Sequence, residues 1–203
     1  MLNMEDDEYI TVQGISKSEF DIKKSKFIGL LKSVATEQEA FEFLRSVRAE
    51  YPDATHHCFA FIIGSGAKKI SRSNDAGEPL NSAGKPILSA IELSDLNNVI
   101  CVVVRYFGGI KLGVGGLIRA YGQTARECVQ KAKRIINVVS SDFHIQMSYK
   151  YMGAVISLVN RLKGKIISVD QGEKVLAIVN IRNSMVATFK DQIKSISVDI
   201  SVS

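Results

Sequence analysis

Hydrophobic and polar positions change period along the chain, and the changes mark its elements. Residues 9–12 and 19–22 alternate, and KFIGLLKSV at 26–34 is a longer apolar-rich run. Together they predict an antiparallel meander. Thr36 with Glu39 three residues on has the spacing of a capping box, and Ala40, Phe41, Leu44 and Val47 follow on one helical face. A helix is therefore predicted over Glu37–Glu50, ended by Tyr51-Pro52-Asp53. HCFAFII at 57–63 predicts a buried strand, and 64–69 a turn.

The next stretch, SRSNDAGEPLNSAGK at 71–85, has the period of neither helix nor strand. A structureless loop of this size in a compact domain is more often functional than accidental. PILSAIEL at 86–93 predicts a short helix, 96–98 a turn, and VICVVVR at 99–105 a central strand. Five glycines then fall within nine residues, at Gly108, Gly109, Gly113, Gly115 and Gly116. A helix follows from near Leu117 to about Lys133, with Leu117, Ile118, Tyr121, Ala125, Cys128 and Val129 towards a core. From Ser141 the organisation changes. A strand at 143–149, a helix at 152–162, a hairpin of 165–169 with 174–181, a helix at 184–193 and a strand at 195–202 give the order β-α-β-β-α-β of a ferredoxin-like sandwich. The chain reads as α+β, with a domain over 1–139 followed by one over 140–203.

Charge changes this picture little. With 26 Lys+Arg against 21 Asp+Glu the net charge is +5, which permits contact with phosphate or nucleic acid without demanding it. Cys58, Cys101 and Cys128 are an odd set at wide spacing, expected as reduced core thiols. His56, His57 and Cys58 are consecutive on a strand, which sends neighbouring side chains to opposite faces, so no metal site is predicted. The start, MLNMEDDEYI, is acidic where a signal peptide is basic and then apolar, and no apolar run reaches membrane-spanning length. A cytoplasmic protein without membrane contact is expected.

Chemistry concentrates in two loops. In the glycine loop, backbone N–H groups of Gly113, Gly115 and Gly116 and the positive end of the following helix could face an anion, with Arg105, Lys111 and Arg119 adding charge-assisted hydrogen bonds. Neither GxxxxGK[ST] nor GxGxxG occurs there, so the standard nucleotide fingerprints are excluded. The other reading is tight packing and a sharp turn. In the polar loop, Asp75 and Glu78, near Lys85, could act as acid and base or hold Mg²⁺, or form a solvated turn. One of His56 and His57 faces the core, and the other is a candidate acid or base. Arg105-Tyr106-Phe107 and Arg119 with Tyr121 could stack on RNA and neutralise it, or Tyr106 and Phe107 could plug the core. Lys23, Lys24 and Lys26 read as a solvated face. No catalytic residue and no cofactor is assigned.

RYFGGIKLGVGGLIRAYGQTA at 105–125 resembles the signature of the Impact family, in its YigZ-like bacterial branch. SKFIG at 25–29, HHCFAF at 56–61, AGEPLNSAGKPIL at 76–88 and NVICVVVRYFGG at 98–109 stand in the family's order. The resemblance implies an N-terminal domain folded like the second domain of ribosomal protein S5, then a ferredoxin-like domain similar to one in elongation factor G. The polar loop departs from the family pattern D-D-G-E-P-x-G-T-A-G: Ala76 removes a carboxylate and Asn81 replaces a glycine. Eukaryotic members regulate translation by binding a protein that activates a stress kinase. The expectation is a non-catalytic binding or regulatory protein in translation, contacting RNA, the ribosome or a translation-related protein through Arg105, Tyr106, Gly108, Gly109, Lys111, Gly113, Gly115, Gly116 and Arg119. His56, His57, Asp75, Glu78 and Lys85 are accessory. The alternative is an enzyme binding a nucleotide or phosphorylated small molecule at the same loop, since the S5-like fold is similar to that of small-molecule kinases.

Overall fold

The computed structural model describes residues 7–64, 69–196 and 199–202. It is a mixed α+β chain with antiparallel sheets that divides into two compact units. One spans Ile10–Ile136; the other joins the described residues up to Tyr9 with Asn137 onward.

The larger unit is built on a five-stranded sheet. Its strands are β2 (Ile15–Ile22), β3 (Ser25–Ser33), β4 (His56–Ile63), β5 (Ile70–Asn74) and β6 (Val99–Tyr106). They lie in the order β2-β3-β6-β4-β5, each antiparallel to its neighbour. The centre is β6, whose VICVVV run has no polar alternation because helices cover both of its faces. Ile100, Val102 and Val104 pack with Phe59, Phe61 and Ile63 of β4 against Ala40, Phe43, Leu44 and Val47 of α1 (Glu37–Glu50). Val99, Cys101 and Val103 face the other way, with Phe27, Leu31, Cys58 and Ala60, onto α2 (Gly84–Glu92) and α3 (Val114–Lys131). Gly29 of β3 admits this second layer: a Cβ there would lie 2.7 Å from Ser18 Oγ and 2.8 Å from Cys128 Sγ.

α1 has the predicted bounds, with the Thr36 hydroxyl accepting from Glu39 N at 3.2 Å. Phe43 enters the core rather than Phe41, which stays 39% exposed with its ring edge-on to Phe59 and Phe61. The spacing from Ala40 to the other buried positions is three, four and seven, which puts Phe41 on the margin of the stripe. Ile118 likewise lies outside the α3 core stripe, 42% exposed. The predicted meander is only partly formed. β2 and β3 make a hairpin, but β1 (Glu8–Val12) pairs with β7 (Arg134–Val138), a strand the sequence did not suggest. The polar segment is not structureless either: its start is β5, an exposed edge strand on β4, and its end is the first turn of α2. The turn read at 64–69 falls mostly on 65–68, outside the described residues.

In the other unit, β8 (Ser140–Met147), α4 (Tyr149–Arg161), β9 (Lys165–Gln171), β10 (Val175–Arg182), α5 (Val186–Ile193) and β11 (Asp199–Val202) follow in order. The sheet order is β11-β8-β10-β9. Alternate residues of β8 and β10, among them Phe143, Ile145, Val179 and Ile181, pack on Val155, Leu158 and Val159 of α4 and Phe189 and Ile193 of α5. The Asp7 carboxylate accepts from the Ser184 amide at 2.8 Å and from its hydroxyl, at the start of the last helix. The final strand is shorter than the predicted 195–202, part of which, 197–198, lies outside the described residues. No described helix is long and apolar enough to cross a membrane.

Candidate binding cleft

Period two along β6 puts Arg105 on the same face as Cys101 and Val103, so this arginine is turned into the α3 side of the sheet. It is 5% exposed. Its Nη1 donates to Glu78 Oε1 at 2.5 Å and its Nη2 reaches Ser25 Oγ at 3.5 Å. The guanidinium carbon lies 5.4 Å from the Phe27 ring and 5.3 Å from the Phe107 ring, a cation held between two aromatic faces. Among the described residues its Nε is the buried side-chain nitrogen left without a partner.

The same Glu78 oxygen accepts the Tyr121 hydroxyl of α3 at 2.8 Å. Cys58 Sγ lies 3.3 Å from that hydroxyl oxygen and 3.0 Å from the Asp75 carbonyl. Burial pushes the Tyr121 phenol far up, and pushes the Cys58 thiol up to about 12. Both groups therefore stay protonated at neutral pH, and neither is an activated nucleophile. Arg105, Glu78, Tyr121 and Cys58 form a hydrogen-bonded chain in which Arg105 Nε alone, among the described residues, lacks a partner.

The polar loop is shaped to bring Glu78 inward. Asp75 Oδ2 accepts from Asn81 N at 2.8 Å, and Oδ1 from Ala83 N at 2.9 Å and Gly84 N at 2.8 Å. It thereby caps α2 from across the loop, where the helix's own N-cap residue, Ala83, has no capping side chain. Burial raises the Asp75 pKa, but the amides of Gly84, Ala83 and Asn81 outweigh it and hold the carboxyl below its usual value. The tight path needs positive φ at Ala76 (44°), Gly77 (90°) and Asn81 (60°). His56 Nδ1 lies 2.9 Å from the Ala76 carbonyl, which can only accept, so Nδ1 carries the proton. Nε2 is left 3.8 Å from Glu78 Oε1.

On the opposite side, the Gly108 amide donates to Ser25 Oγ at 3.2 Å, and a Cβ at Gly108 would lie 2.0 Å from the Lys24 carbonyl. α3 begins at Val114, three residues before the predicted start, because Gly113 at φ 72° serves as its N-cap. Leu117 N is bonded to Gly113 O at 2.9 Å, so the N–H groups of Val114, Gly115 and Gly116 precede the first intrahelical bond. Between the two loops lies a cleft of about 410 Å³. Phe107, Leu112, Leu117 and Pro79 supply apolar wall; Arg105 and Glu78 are its most buried charges, and Lys111 is its exposed cation.

The structure thus gathers Arg105, Lys111, Gly113, His56 and Glu78 at one cleft, with Gly108, Gly109, Gly115 and Gly116 shaping the loop and helix start beside it. Arg105 is not the solvent-facing contact that its motif suggested, since its charge is spent on Glu78. Tyr106 and His57 turn to the other face of the sheet. Tyr106 packs on the α1-side core, and His57 Nε2 bonds the Tyr51 carbonyl at 3.0 Å, its pKa lowered first by burial. Arg119 is exposed, its Nη1 4.0 Å from where a Gly115 Cβ would stand, and Lys85 is exposed beside Asp75. Ser25 and Cys58 complete the site without having been singled out for it; Tyr121, expected to stack on RNA beside Arg119, is fully buried and bonds Glu78 instead, and Phe107 is part of the cleft wall. An arginine at the inward parity of an apolar strand was the available signal, because a buried guanidinium requires a carboxylate.

Residues 23–129 match the Impact N-terminal domain family. The chain is similar to the IMPACT family member YvyE of Bacillus subtilis, 40% identical over 147 residues that cover 72% of this chain and 67% of that protein. It is also similar to the IMPACT family member YigZ of Escherichia coli, 36% identical over 179 residues and 87% of each chain. A solved structure described as a hypothetical protein shares the fold with a TM-score of 0.70 at 31% identity, covering 96% of both chains.

Proposed function

This chain belongs to the Impact family, and on that footing we propose that it is a non-catalytic binding protein of the cytoplasm, acting in translation or its regulation. Its working surface is the cleft between the polar and glycine loops, contacting RNA, the ribosome or a translation-related protein. The observation that carries this reading is that Glu78 Oε1 accepts from both Arg105 and Tyr121. The carboxylate that could have served as an acid or base is consumed within the frame. The cleft is lined by exposed Lys111 and by Val114 at the start of α3, whose N–H precedes the first intrahelical bond, and groups of this kind bind anions without transforming them. The strand order β11-β8-β10-β9 and the β-α-β-β-α-β sequence support a ferredoxin-like second domain over 140–203, after an S5 domain 2-like first domain over 1–139.

Co-sedimentation with ribosomes and filter binding to single-stranded RNA test this reading. Binding is expected to weaken with salt and to weaken further in Lys111→Ala, as for any contact that releases counterions. Absence of both RNA binding and capture of ribosomes or translation factors sinks it. The cleft's volume and apolar walls favour one second reading, a nucleotide or phosphorylated small molecule held there. That reading requires thermal stabilisation by ATP, GTP or a phosphorylated metabolite.

A further inference from the structure

The β2–β3 hairpin closes on an unusual pair. Ile22 lies opposite Ser25 in register, so the loop has two residues, Lys23 and Lys24, at φ 45° and 63°. Hairpins of this kind favour Asn-Gly because left-handed backbone is disfavoured for residues with a long side chain. Packing explains the shape of this turn but not its residues. Gly108 lies against the Lys24 peptide, and buried Ser25 accepts the Gly108 amide, so the turn is fastened to the glycine loop. Asn-Gly would satisfy the same contacts with less strain, and strained positions that persist concentrate at functional sites.

Both lysines are exposed, and among the described residues neither pairs with a carboxylate. Of the two acids on this hairpin, Glu19 is already shared by Lys17 at 3.3 Å and Lys26 at 2.7 Å, and Asp21 lies opposite Lys26 in register. Two unpaired cations therefore stand on the turn that abuts Gly108, three residues before Lys111 of the cleft. We propose that the Lys23–Lys24 turn is a phosphate-backbone contact for RNA, extending the anion-binding edge of the cleft. It rests on the reading of the cleft given above and names RNA as the partner. An isolated phosphate needs only the amides and Lys111, whereas successive phosphates of one strand can engage both the cleft and the turn.

The test is the full-length double variant Lys23→Asn/Lys24→Gly, compared with the unaltered protein. Relief of strain should raise Tm by about 3 °C. Loss of two phosphate contacts should reduce the slope of log affinity against log salt for single-stranded RNA by about 1.4. Lys23→Gln/Lys24→Gln, which keeps long side chains at the same positions, should lose the same slope without the gain in Tm. RNA binding by the unaltered protein with an unchanged slope in both variants overturns this inference and leaves the cleft reading standing. No RNA binding by the unaltered protein, or ribosome binding that excess RNA does not compete away, overturns it in favour of a protein partner. A fall in Tm for Lys23→Asn/Lys24→Gly contradicts the strain on which it is founded.

Discussion

On the α1 face of the five-stranded sheet, β6 and β4 present Ile100, Val102, Val104, Phe59, Phe61 and Ile63, all apolar and all covered by a single helix. On the α2/α3 face the same two strands present Cys101, Val103 and Arg105 with His56, Cys58 and Ala60, and α3 answers with Tyr121 and Cys128. Apart from half-buried His57, which bonds the Tyr51 carbonyl, the first face needs only shape and volume, and any side chain of similar size and polarity would serve it. The second has polar groups in its interior, each of which must find a partner. Ser18 of β2 partners Cys128 and Ser25 of β3 partners Arg105, but the charge of Arg105 is met only by Glu78, from a loop at the end of the sheet. The demand for partners is what draws the polar loop and the glycine loop together, and the cleft is where they fail to close completely.

Breaking the polar face should have the largest effect. Arg105→Ala leaves the Glu78 carboxylate buried without its cation and should lower unfolding free energy by about 3–5 kcal/mol in urea titration, whereas replacing both partners by apolar residues should recover much of the loss. On the α1 face, Leu44→Ala should cost about 3 kcal/mol through a cavity, yet leave RNA or ribosome binding unchanged, which separates core from site. Tyr121→Phe keeps the ring against Phe27, 5.1 Å away, and removes one hydrogen bond to Glu78. It should cost about 1 kcal/mol.

Acid should separate the faces more gently. The His57 pKa is lowered in the fold, so the stability linked to it is complete above the ordinary histidine value of about 6.5 and declines as pH falls below it. The Asp75 pKa is also lowered, so its contribution is complete above the ordinary carboxylate value of about 3.9 and is lost as pH falls through the lowered one. A plot of Tm against pH should show an upper step that His57→Gln removes and a lower step that Asp75→Asn removes.

These contrasts also explain what could be read in advance. The apolar face was legible because its signals are local: β6 announces itself as an uninterrupted apolar run, and α1 as a capped stripe with the observed bounds. β5 was not, since an edge strand with every residue exposed carries no hydrophobic period. The pairing of β1 with β7 was hidden because a short alternating strand does not name its partner. Arg105 and Glu78 were both singled out, but separately, one as a surface contact and the other as an acid or base. Their ion pair spans 27 residues of sequence, and nothing local encodes it. The resemblance of 105–125 to a family signature does not say which of its charges faces inward.

Binding at the cleft depends on which groups of the second face are available to a ligand. Titration of the ¹⁵N-labelled full chain with a single-stranded RNA oligonucleotide, followed by amide resonances, addresses this directly. Saturable shifts of Lys111, Val114, Gly115 and Gly116 that fade with added salt, with Val102 and Leu44 on the α1 face unmoved, are the expected result. An unperturbed spectrum, or shifts that leave the start of α3 untouched, would contradict it.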